Sequence, residues 1–175
     1  MTVDVAAMWD FGDPAGSEAR FREALATAAG DDALVLRTQI ARAMGLRRET
    51  GLARDVLRDI EPFVEEAGPE ARARWHLELG RTWISAVTTP GERSPEALAN
   101  ARTAYERAFE IARDAGLDGL AIDAVHMQAF VTSDPDEQLA WNEQGLALAL
   151  ASSDPAGRRW EASLRNNAGM ALHEL

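Results

Sequence analysis

The stretch Leu79-Gly80-Arg81-Thr82-Trp83 decides how this chain is read. A large apolar residue precedes one with no side chain, and an aromatic follows about a turn later. Downstream, Ala101, Tyr105 and Ala108 repeat small, large and small at spacings of four and three. Such spacings put each set on one stripe of a helix. The reason for the alternation is steric. Small residues let two antiparallel helices approach closely, and large ones fill the notch beside them. The segment therefore predicts two helices in close contact.

The same skeleton recurs on either side. Ile40-Ala41-Arg42-Ala43-Met44 precedes Ala53, Leu57 and Ile60. A helical stretch from Leu117 to Val131 precedes Ala140, Gln144 and Ala147. Asn166-Asn167-Ala168-Gly169, with Leu172 a turn later, has the form of a first helix without a second. Ser17, Phe21 and Ala24-Leu25 have the form of a second helix without a first.

Punctuation supports the phasing. Asp13-Pro14, Ser94-Pro95, Asp134-Pro135 and Asp154-Pro155 each pair a capping side chain with a proline. The side chain accepts from amides of the first turn, where proline's missing N–H costs nothing. Gly30, Gly68 and Gly116 fall where helices should stop in a left-handed residue. Pro62 should kink or shorten the helix that contains it. These marks predict helices over 13–29, 32–45, 49–66, 70–88, 94–115, 117–132, 135–151 and 155–175. The short connections make neighbours antiparallel.

The pattern is similar to the tetratricopeptide repeat, in the manner of bacterial helical repeat proteins. Residues 1–175 read as one such domain: a half unit over 13–29, pairs over 32–66, 70–115 and 117–151, and a half unit over 155–175. The resemblance implies an all-α, right-handed α-α superhelix of about eight antiparallel helices. It also implies a concave groove lined by the first helix of each pair, which accepts a peptide or protein segment. Carried over by register, groove positions are Thr38 and Arg42, then Arg74, Leu77 and Arg81. The last helix gives Asn166 and Met170, with Asn167 nearby, and Asp123 and His126 are the polar residues of the intervening helix. Arginine forks and asparagine amides suit a peptide backbone or a carboxylate. The lysines of the carboxylate-binding members are missing. The alternative for the arginines is pairing with Glu49, Glu70 or Glu78 on solvated faces.

Two other functions stay open. The unpaired first-type helix, through Met170 and Leu172, could dock on the second-type helix near Ser17 and Phe21 of a neighbour, or two such helices could pair as a homodimer. The chain could also be a sensory portion of a larger regulator or enzyme.

Composition narrows the classes. The 175 residues carry a formal charge of −11, with arginine as the only strongly basic residue, which disfavours direct nucleic-acid binding. Cysteine is absent, so thiolate and disulfide chemistry are excluded. Met1 to Ala7 lacks the basic and apolar regions of a leader, and no stretch suits a membrane span; a cytoplasmic location is the expectation. His76, His126 and His173 lie on different first-type helices in registers that do not converge, so no metal or other cofactor is expected. No phosphate loop or nucleophile elbow occurs, and an enzyme is not expected. Trp9, Trp75, Trp83, Trp141 and Trp160 read as core filling, with Trp9, near Met8 and Phe11, capping the N-terminal end.

Overall fold

A computed structural model describes residues 3–175; Met1 and Thr2 of the expected leaderless start lie outside the described residues. The described chain is helical, without a strand. Its elements are α1 (Val5–Met8), α2 (Pro14–Leu25), α3 (Gly30–Leu46), α4 (Thr50–Val64), α5 (Pro69–Trp83), α6 (Pro95–Asp114), α7 (Asp118–Gln128), α8 (Pro135–Ala151), α9 (Pro155–Arg158) and α10 (Glu161–Glu174). A 3-10 turn, Pro90–Glu92, lies between α5 and α6. No helix is long and apolar enough to cross a membrane among the described residues.

The capped starts arise as the side chains dictate. Asp13, Ser94, Asp134 and Asp154 accept from the backbone N–H of Gly16, Ala97, Asp136 and Ala156. Gly30 and Gly116 adopt φ of 56° and 68°, the left-handed region that favours glycine. Gly68 does not: it is extended at φ −63° and donates its N–H to Asp31. The left-handed residue that closes α3 is instead Arg48, at φ 64°.

From α2 to α8 each helix packs on the next, and α8 packs on α10; α3 also lies against α5, and α5 touches α7. The contact between α5 and α6 is the one the opening stretch specifies. Tyr105 is fully buried with its ring against Gly80, so close that a Cβ there would stand 2.5 Å from Cε1. Its hydroxyl donates to the carbonyl of Ile84. Ala53, Leu57 and Ile60 are likewise sealed from solvent under α3.

Several boundaries differ from the sequence reading, for local reasons. The helix over 70–88 stops at Trp83, because Ile84 is buried in extended backbone and Ser85 N–H turns to the Thr88 hydroxyl. The helix over 155–175 is two helices. Ser152 accounts for the break: its hydroxyl donates to Asp118 and its carbonyl accepts from Arg158, which holds α9 on the start of α7. α10 then returns along α8. The stripe of α8 is also shifted. Ala140, Gln144 and Ala147 are exposed, whereas Asn142, Gly145 and Ala149 are buried. Gly145 sits on the stripe because Leu164 presses on it; a Cβ would meet Leu164 at 2.9 Å.

Candidate binding face

α3, α5 and α7 each send charged side chains to one place. Arg81 of α5 donates to Glu78 at 2.6 Å and to Asp123 of α7 at 2.5 Å. Arg42 of α3 reaches Glu78 at 3.3 Å and Asp123 at 3.5 Å. The Glu78 and Asp123 side chains are only 2% and 9% exposed, so both carboxylates depend on the arginines for compensation. Formal charge balances within the cluster, two against two. Burial pushes the Asp123 carboxyl up, but the adjacent Arg81 and Arg42 guanidiniums outweigh it and hold the carboxyl below its ordinary range. His126, a turn further along α7, is held below its usual value by burial. Its Nδ1 lies 3.3 Å from Asn167 Nδ2, and its ring meets Phe130 and Trp160 at 5.2 Å.

The cluster is the floor between two clefts. The wider, about 560 Å³, is lined by the aromatics Trp9, Phe11 and Trp160, with Arg74 and Arg159 also lining it. The narrower, about 180 Å³, is a mostly apolar slot among Leu46, Ala86, Val87, Met127 and Phe130. Arg42, Asp123 and Trp160 belong to both. A third cleft, about 400 Å³, is lined by Phe130, which the slot shares, and by Asn142, Asn167 and Met170. The slot thus shares lining residues with each of the other two clefts.

The Trp9–Phe11 wall is built by the N-terminal arm folding back. Trp9 donates its indole N–H to Gln39 at 2.9 Å and sets its edge on Phe21. Asp10 N–H donates to the buried Ser17 hydroxyl at 2.8 Å, and Arg20 donates to the Met8 carbonyl. Phe11 stacks flat on Trp9, and the Arg42 guanidinium lies 5.5 Å from the Phe11 ring centre.

The structure thus brings Arg42, Arg81, Asp123, His126 and Asn167 together, with Arg74 on the rim. Arg74 is paired with Glu70 at 2.9 Å, and Arg47, not a groove position, with Glu49 at 2.7 Å. Thr38 and Leu77 do not face the clefts: Thr38 is fully buried with its hydroxyl on the Val35 carbonyl, and Leu77 is in the core. Their stripe of each helix faces a neighbouring helix. Asn166 is exposed, its amide 3.7 Å from the Met170 sulfur. Ser17 and Phe21, expected at an open assembly end, are fully buried because residues 3–12 cover them. Met170 and Leu172 are exposed, at 60% and 59%.

Sequence reasoning missed Phe11, Gln39, Phe130, Trp160 and Asn142 as cleft residues. The available signal was Trp9-Asp10-Phe11: two large aromatics just before a capped helix, where no helical stripe explains them. Comparison with family models, curated proteins and solved structures finds no match to this chain.

Proposed function

We propose that this protein is a tetratricopeptide-like scaffold that holds an extended segment of another protein along the face made by α3, α5, α7 and α10. The observation that supports the reading is that three clefts adjoin through shared lining residues, Arg42, Asp123 and Trp160 between the first two and Phe130 between the slot and the third. An extended chain needs such a run of sites, with apolar anchors and polar groups between them. The slot suits one apolar side chain, and the Asn142 and Asn167 amides suit backbone groups. Helices on a packed frame lower the ordering cost on the receptor side.

Selection from a random dodecapeptide display library, followed by tryptophan-fluorescence titration of the enriched peptides, tests this. Ala86 is exposed and lines the slot, so Ala86→Trp fills it without entering the core. Enriched peptides should lose at least about tenfold in affinity for that variant. They should bind Leu52→Glu, an exposed change on α4, unchanged. No enrichment, or equal binding by Ala86→Trp, overturns the reading.

A second reading, self-association, is favoured by the exposed Met170 and Leu172 on α10. Light scattering over a dilution series tests it. A mass that falls on dilution, or with Met170→Glu and Leu172→Glu, supports it; monomer throughout excludes it.

A further inference from the structure

We infer that the wide cleft recognises an aromatic side chain with a carboxylate beside it on the bound segment. This rests on the segment-binding reading above. Phe11 is 60% exposed although large and apolar. Folding does not require that exposure, yet the ring is not loose. It lies 4.8 Å from Trp9, with 1° between the planes. Trp9 is itself fixed by its bond to Gln39 and its edge contact with Phe21. A flat apolar face is thus held ready at a cleft that a third aromatic, Trp160, also lines. Planar rings between aromatic walls gain offset or edge contacts that aliphatic side chains do not.

The charges at the same cleft specify the second half of the ligand. Arg42 and Asp123 belong to the neutral cluster, and Glu70 is bound to Arg74. Asp154 is turned to the first amides of α9. Arg159 lines the cleft, and its backbone N–H donates to the Pro155 carbonyl, whereas its guanidinium has no hydrogen-bond or ion-pair partner among the described residues. An exposed guanidinium left over at the rim matches a carboxylate, in a bidentate fork. This is a local preference opposed to the charge of −11 on the whole chain, which draws cations from a distance. The two effects make opposite forecasts, so the site can be read separately from the field.

The test uses the full chain and four sets of N-acetylated, C-amidated octapeptides in a Ser-Gly frame. Each set has a Leu for the slot. The varied positions carry Phe or Leu, next to Glu or Lys. Affinities come from tryptophan fluorescence at 150 mM salt. The Phe–Glu set should bind tightest. Phe should exceed Leu by roughly three- to tenfold, and Glu should exceed Lys by about threefold or more. Phe11→Ala should abolish the Phe preference and keep the Glu preference. Arg159→Gln should do the reverse. Both residues are exposed, and the thermal unfolding of each variant shows that the fold is kept. Binding without these preferences, or preferences that survive their own variants, overturns the inference and leaves the groove standing. Binding by none of the sets overturns the inference and counts against the groove as well.

Discussion

Replacing Gly80 with alanine is the sharpest probe of the α5–α6 contact. In an exposed helix interior this change stabilises by about 1 kcal/mol, because glycine loses more backbone freedom on folding. At Gly80 a new Cβ meets three atoms of the Tyr105 ring at 2.5, 2.7 and 2.9 Å, nearly 1 Å inside ordinary contact. The ring cannot simply slide. It is fully buried, and its hydroxyl is tied to the Ile84 carbonyl. Overpacking costs about 1–3 kcal/mol, and a strained or lost hydrogen bond adds about 1 kcal/mol. The net result should be a loss of about 1–3 kcal/mol. Gly169 supplies the internal control, since it lies inside α10 with nothing within 4 Å of a Cβ. Gly169→Ala should gain about 0.5–1 kcal/mol. Urea unfolding followed by far-UV circular dichroism gives both numbers in one experiment. If Gly80→Ala is as stable as Gly169→Ala, the small-against-large contact is not what sets the approach of α5 and α6, and the reasoning that opened the sequence analysis fails.

Two further outcomes concern the charged cluster and the histidines. Arg81→Leu should cost about 3–5 kcal/mol, because Asp123 and Glu78 keep their charges in a place with too little compensation; Arg81→Leu with Asp123→Leu should recover a large part, and denaturant titration of the three proteins checks it. Burial, reinforced by Arg107, holds the His76 imidazole down at about 4. The unfolded chain takes up a proton near pH 6.5 that the folded chain refuses until about pH 4, so stability should fall on acidification across that window, by at most about 1.4 kcal/mol per pH unit from this group. His76→Gln should flatten the profile of urea midpoints between pH 4.5 and 7; an unchanged slope would place the proton uptake elsewhere.

Much of the fold was legible because its signals are local. A carboxylate or hydroxyl before proline can do little but open a helix, and Asp13, Ser94, Asp134 and Asp154 all do so. Gly80 and Tyr105 carry their pairing in their sizes. Other features depend on partners distant in sequence. Asn142, Gly145 and Ala149 form the buried stripe of α8 only because Leu164 and its helix come down on that side. The break between α9 and α10 rests on Ser152 reaching Asp118 across 34 positions. For the candidate face, register placed Arg42 and Arg81, and Asp123 and His126 stand out as the polar residues of the helix between 117 and 132. Pairing with Glu78 is the alternative that the sequence offers for the arginines, but on a solvated face; that Glu78 is buried and that Asp123 is the second partner depend on how the three helices pack, which a helical stripe does not fix. The aromatic wall was illegible for a different reason: Trp9 and Phe11 lie on an arm whose path is set by Gln39, Ser17 and Phe21.

Arrays in which each helix pair touches only its neighbours tend to fray inward from their ends. The cluster of Arg42, Glu78, Arg81 and Asp123 works against that here, since it draws on three helices that are not consecutive. Lifting α3 or α7 strands a charge on the other two, and lifting α5 removes Glu78 and Arg81 and leaves only the Arg42–Asp123 pair. Partial openings through this part of the chain therefore carry nearly the cost of complete unfolding, and the amides of α3, α5 and α7 should exchange with solvent as one cooperative block. The terminal segments, α1 and α10, lie outside that block, so their amides should exchange independently of it.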